Sequence, residues 1–195
     1  LESLKPRVLA ARSNQTRQVH ESRPWLHWDK RTEFFLKARR LDAIVALTIV
    51  SSHYAVHRVS PTHLYAHGIK LFADERIGFW GVMQSRVHEV WARAVTSSLG
   101  TSIRYTTSLC FDTFPFKDEV MEASNVVAAA SHYLDERHDT LLSLGVGTTV
   151  LYGRFHDPEE DFPGILKLRE LHEAVDRVVL DAYGWNDIPT ACEFL

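Results

Sequence analysis

The sequence predicts an α+β fold: a small, mostly antiparallel sheet with packed helices, followed by a helical domain. Three observations predict it. β-Branched and alternating segments crowd into residues 43–72, with Pro61 between two of them. Helical periodicity appears at 87–95 and again, over a longer stretch, at 165–182. The charge divides along the same line. Residues 1–117 carry 17 Lys and Arg against 9 Asp and Glu, net +8, and residues 118–195 carry 5 against 16, net −11, giving the overall −3. Such asymmetry implies different partners for the two regions, a polyanion being drawn to the first and repelled by the second.

In chain order, residues 1–11 read as a short helix and 12–23, polar and basic without a period, as a loop. Trp25 and Trp28 lie three apart beside Pro24. Residues 32–40 fit a helix carrying Phe34, Phe35 and Ala38. Residues 43–50 are too short for a helix and rich in β-branched side chains, so they read as a strand; 55–59 and 64–72 alternate, and Pro61 marks the turn between them. Residues 74–98 predict two helical pieces hinged near Gly81, with Val87, Val90, Trp91, Ala94 and Val95 as a stripe toward the core and Gly100 as the stop. Residues 103–107 return to β, and Pro115 closes that segment. Residues 120–144 predict one or two helices, broken at Gly145-Val146-Gly147. Residues 162–183 predict an amphipathic helix along Ile165, Leu168, Leu171, Val175, Val178, Val179 and Ala182, stopped by Gly184. The expected organisation is an N-terminal helical or linker segment at 1–39, an α/β domain at 40–117 and an acidic helical domain at 118–195.

Much chemistry is disfavoured at this level. With 45% hydrophobic and 24% charged residues the composition is that of a globular protein, and no apolar run is long enough to span a bilayer. The chain opens Leu-Glu-Ser-Leu-Lys, which reads as an excised or processed fragment without a signal peptide. Cys110 and Cys192 give neither metal spacing nor a disulfide framework, and fit thiols in a reducing cytoplasm. The pairs His53/His57 and His63/His67 have the i,i+4 spacing of zinc-binding helices, but their surroundings read as strands, where four residues span ~13 Å, too far for one ion. There is no Gly-x-Ser-x-Gly elbow, no Gly-x-Gly-x-x-Gly turn and no P-loop. No catalytic residue and no metal ligand is assigned.

The basic half offers more. Arg86 and Arg93, seven apart, share a helix face. Two readings stand for them: pairing with Glu89, which is i+3 from one and i−4 from the other, or contact with phosphates. Arg39-Arg40, near Arg31 and Lys37, fits a solvated face. The segment 100–108 combines Arg104 and Tyr105 with five hydroxyl residues, Thr101, Ser102, Thr106, Thr107 and Ser108. Arginine can grip guanine O6 and N7 with two bonds, and Ser or Thr can serve bases or phosphates.

The order of several motifs adds a family. Gln84 to Arg93 leads into Ser98-Leu99-Gly100 and Arg104-Tyr105-Thr106; Phe111-Asp112-Thr113-Phe114-Pro115-Phe116 follows, then Tyr152-Gly153-Arg154-Phe155-His156-Asp157-Pro158, Leu168-Arg169-Glu170-Leu171-His172 and Asp176 to Trp185. This order resembles the target-recognition region, with its trailing helices, of the type IIG (MmeI-like) restriction–modification enzymes, over roughly residues 40–190. Lys117 stands where a second Pro is usual, and Ser51-Ser52-His53 replaces a more common Ser-Lys-His.

The resemblance implies a longer parent that transfers a methyl group from S-adenosylmethionine to adenine N6, a bacterial defence enzyme of the cytoplasm. A nuclease using Mg is expected at its N-terminus in some members. The fragment itself is expected to be non-catalytic, to hold no cofactor, and to read double-stranded DNA beside an intramolecular methyltransferase domain, with no role at a membrane. Its sequence carries neither an Asn-Pro-Pro-Tyr adenine pocket nor a nuclease pattern. Base flipping would occur in the catalytic domain. The residues expected at DNA are Arg104 as base reader with Ser102, Tyr105 and Thr107 beside it, Ser52 and His53 from the preceding loop, and Arg86 and Arg93 at phosphates. A structural ion-pair role for Arg104 is the other reading. The alternative function is a helical protein-interaction module docking on a partner domain through residues 165–182.

Overall fold

The computed structural model describes residues 6, 7, 10, 31–96 and 102–190. Most of the helix read at 1–11, the loop at 12–23, the tryptophans at 25 and 28, and Gly100 lie outside the described residues. The chain divides into two compact units, Leu1–Lys37 and Ala38–Leu195. In the first, helix α1 (Thr32–Ala38) begins and carries an edge-to-face pair, Phe34 on Phe35.

The second unit is built on the predicted antiparallel sheet, in the order β3-β1-β4: β1 is Ile44–Thr48, β3 Val56–Val59 and β4 Ile69–Phe72. Val45 sits opposite Arg58 on one side and Phe72 on the other. The third strand read from the sequence, at 64–72, is shorter than its alternation and forms β4 from Ile69. A second, two-stranded ribbon pairs β2 (Val50–Ser51) with β5 (Ile103–Arg104). Its pairing runs one residue further, since Tyr105 N–H donates to the Ile49 carbonyl at 2.7 Å.

Helices α2 (Ile77–Gln84) and α3 (Arg86–Val95) follow. The break falls at Ser85 and not at Gly81. Helix α2 is buried from Gly78 to Gln84, and its glycines serve close approach rather than bending. A Cβ on Gly78 would stand 1.8 Å from the Met121 carbonyl oxygen, and one on Gly81 would stand 2.7 Å from the Ala130 Cβ. Beyond β5 the chain does not continue as a strand to Thr107. Thr107–Phe111 forms a wide π-helical turn closed by Asp112 N–H on the Thr107 carbonyl.

Four helices complete the unit: α4 (Asp118–Met121), α5 (Ser124–Leu144), α6 (Thr148–Phe155) and α7 (Pro163–Tyr183). Gly145 and Gly184 end α5 and α7 in the left-handed conformation, at φ 62° and 78°. Helix α6 was not foreseen from the sequence. One hydrophobic core runs from Val45 through Trp80 and Val126 to Tyr183, across the position where a boundary at 117/118 was expected. The Val56 peptide ties the parts together. Its carbonyl accepts from Trp80 Nε1 at 3.1 Å and Arg137 Nη1 at 2.8 Å, and its N–H donates to Gln84 Oε1 at 2.8 Å.

Candidate nucleic-acid interface

The Phe111–Phe116 motif is a plug. Phe111, Phe114 and Phe116 pack with Phe72, Phe79 and His88, at ring separations from 4.5 to 6.2 Å. Tyr183 donates its hydroxyl hydrogen bond to the Pro115 carbonyl at 3.0 Å. The motif therefore pins the end of the ribbon onto the sheet. The Tyr152–Pro158 motif works similarly. Tyr152 and Tyr133 hydroxyls meet at 3.0 Å, Arg154 pairs with Glu160, and Arg169 donates to the carbonyls of Arg154, Phe155 and Asp157.

With the ribbon fixed, alternation sorts its side chains. Ile103 and Tyr105 point inward and are buried, whereas Arg104 points to solvent. Tyr105, read as a groove-facing neighbour of Arg104, is thus a core residue, 1% exposed, with its hydroxyl 2.9 Å from His88 Nε2. Burial drives its pKa up, so the phenol stays protonated. Arg104 sits opposite the exposed Val50, and its carbonyl accepts from Thr96 Oγ1 at 2.9 Å. Its guanidinium has no hydrogen bond or ion pair among the described residues. The structural ion-pair reading of Arg104 thus finds no partner there. Ser102 precedes β5, half-buried, and Thr107 opens the π-helical turn instead of extending the strand.

Beside the ribbon lies a small cleft of about 80 Å³. Ser51, Ser52 and His53 line one wall, and Thr148 and Thr149 of α6 the other, with Ile103 between. Ser52 is exposed. His53 is half-buried and stacks on His156, ring centroids 5.2 Å apart and nearly parallel. Burial, then the charge of His53, lowers the His156 pKa to about 4, so the imidazole on which His53 rests is neutral at physiological pH.

Arg86 and Arg93 are held elsewhere. Arg86 Nε contacts Asp176 at 2.6 Å, Arg86 N–H donates to the same carboxylate at 2.7 Å, and Arg86 Nη2 donates to the Thr190 carbonyl at 2.9 Å. Arg93 pairs with Glu89 at 2.7 Å. Both guanidiniums hold the fold, and the pairing with Glu89 holds for Arg93 alone. Other arginines are likewise engaged: Arg76 with Asp74 and Asp118, Arg177 with Asp181, and Arg137 over the Trp80 ring. Against this, Arg39, Arg40, Lys70 and Arg104 make no ion pair among the described residues. Sequence reasoning missed Lys70, half-buried on the edge strand β4, and the Thr148/Thr149 wall. Lys70 carried no local signal, and helix α6 was hidden by Gly147 and Gly153.

Comparison with known proteins adds identity. The family model described as MmeI, target recognition domain, matches residues 7–118. The DNA methyltransferase A of Bacillus subtilis (strain 168) is 30% identical over 116 residues, covering 59% of this chain and 12% of that protein. A solved structure of the type IIL restriction-modification enzyme MmeI in complex with DNA shares the fold, with a TM-score of 0.59 and 20% identity over 73% of this chain and 18% of that one. The chain thus spans about an eighth of the curated relative's length.

Proposed function

The chain belongs to the family of MmeI target recognition domains, and from that premise we propose that it reads the DNA sequence for a restriction–modification enzyme whose methyl transfer takes place elsewhere in a longer polypeptide. The observation that carries this reading is Arg104: a solvent-facing guanidinium without an internal partner among the described residues, on a ribbon fixed by the Phe111–Phe116 plug. A rigidly mounted, unspent arginine is the side chain that discriminates guanine in the major groove. Ser52, His53, Ser102 and Thr149 are near it in the chain or across the cleft, as hydroxyl and imidazole partners for base edges or phosphates. Arg39, Arg40 and Lys70 supply nonspecific attraction.

S-adenosylmethionine, adenine N6 as acceptor and any Mg-dependent nuclease belong on this reading to the longer polypeptide. The solved MmeI complex with DNA supports the duplex as partner. The domain's own sequence contains no cofactor turn and no adenine pocket motif.

The test is duplex binding by the chain followed by fluorescence anisotropy. Affinity should fall about 10- to 100-fold between 50 and 200 mM salt, as for roughly two to four phosphate contacts. Incubation with labelled S-adenosylmethionine and mixed-sequence DNA should transfer no methyl group. Salt-independent affinity, or reproducible methylation by the chain alone, overturns the proposal.

A further inference from the structure

Helix α3 buries His88, Glu89 and Ala92, with His88 bonded to Tyr105 and Glu89 held by Arg93. Of its apolar stripe, Val87, Trp91 and Val95 are half-buried against the core. The outer side of the stripe, with Val90 and Ala94 exposed, lines an open groove of about 580 Å³. Val87, Val90 and Trp91 form one wall, Phe114 the floor, and Trp185 and Ile188 the other wall. Val90 is 64% exposed and Ile188 44%. Isolated exposed apolar residues are ordinary, but a contiguous aromatic-lined groove marks an interaction site.

We propose that this groove seats an apolar helix from the methyltransferase portion of the longer polypeptide. The inference rests on the function proposed above. Three observations select that occupant. The charges at the groove are Arg86 and Asp176, already paired with each other, so nothing there draws a phosphate backbone. The open surface is a few side chains, well short of the ~800 Å² per partner of a stable free-standing complex. A second copy or a separate protein would be held weakly, whereas a tethered segment arrives at millimolar effective concentration. Finally, the relatives matched are several times longer than this chain, which covers 12% of one and 18% of the other, so a tethered neighbour is the expected setting.

The placement has a consequence for reading. The inner face of α3 holds Tyr105, the residue after Arg104, and its outer face is the groove. A helix seated in the groove therefore grips the same element that fixes the reading ribbon. Docking sets the distance between the base reader and the catalytic pocket.

The experiment uses the full-length protein. A p-benzoylphenylalanine placed at position 90 is photolysed and the crosslinked peptide sequenced; it should come from the methyltransferase portion of the same molecule. Val90→Asp and Ile188→Asp, both at exposed positions, should each lower full-length methyl transfer about 10-fold or more. Neither should change the methylated motif or the duplex affinity of the 195-residue chain. A crosslink within residues 1–195, or to a second copy, overturns the proposal, as does unaltered methyl transfer by both variants. The crosslink does not depend on activity. A crosslink from position 90 to the expected portion, with a wild-type full-length protein that methylates nothing, would leave the groove assignment standing and remove the functional one.

Discussion

Two arginines eighteen residues apart illustrate how burial decides a side chain's duty. Arg104 is exposed and unpartnered among the described residues, so Arg104→Ala should leave stability within about 0.5 kcal/mol of wild type. In the full-length enzyme it should relax or abolish recognition at one base pair, a loss of about 1–3 kcal/mol of discrimination. Methylation-site sequencing reads this directly, and an unchanged motif at lower activity would assign Arg104 to the fold. Arg86→Ala behaves oppositely. Among the described residues it removes the only cation paired with the Asp176 carboxylate, whose side chain is 3% exposed, and leaves it the backbone N–H of residue 86. The cost should be about 2–4 kcal/mol, below that of a fully buried pair because Arg86 is itself partly exposed. Urea unfolding should show a lower midpoint with an unchanged slope. Any loss of DNA binding in that variant would follow from unfolding.

At the scale of elements, legibility followed how local the determining physics was. Strand β1 was readable because Ile44, Val45 and their neighbours are buried in a sheet flanked on both sides, which selects a continuous apolar run. Helix α7 was readable from its period, with the left-handed Gly184 at its end. Helix α3 was found, and Val87, Trp91 and Val95 of its stripe do pack against the core, while Val90 and Ala94 face outward. Only tertiary partners, Tyr105 for His88 and Arg93 for Glu89, allow those polar side chains to be buried beside Ala92. The sequence singled out Arg104, Ser52 and His53 as candidate residues, and the structure shows Arg104 and Ser52 exposed and His53 half-buried. The site was not legible as a surface, because the cleft needs α6, nearly a hundred residues away, to form its second wall. Gly81 looked like a hinge because glycine signals flexibility in a sequence, while here it signals contact. Gly78→Ala tests that contact view: a methyl driven into the Met121 carbonyl should cost about 3 kcal/mol or more, or prevent cooperative folding. Thermal and urea unfolding of that variant at wild-type stability would contradict it.

For the molecule as a whole, three histidines, His88 buried and His57 and His156 half-buried, make stability depend on acidity. Burial, with Arg137 second, lowers His57 to about 4; burial lowers His88 to about 3; burial and then His53 lower His156 to about 4. Unfolding restores a value near 6.5, so below that pH the unfolded chain binds more protons than the native one. Stability is therefore complete above about pH 6.5 and declines as pH falls toward about 4, by on the order of 2 kcal/mol each for His57 and His88 and by less for His156, which solvent screens. Melting temperatures from pH 7.5 to 4.5 should trace that decline, and His156→Gln should make it shallower by the share of that one histidine. A level profile would mean that these imidazoles are not held neutral.

The Val56 peptide, shared between Trp80, Gln84 and Arg137, carries a consequence for evolution and for protein engineering. A specificity cassette moved between relatives must travel with its trailing helices. A recombination joint placed between Phe116 and Asp118 would bring Arg137 from one ancestor to a strand from another, and would split a single core between two lineages. Diversification of such a reader is then expected to proceed by point changes on the exposed ribbon and cleft, with the 38–190 body inherited whole.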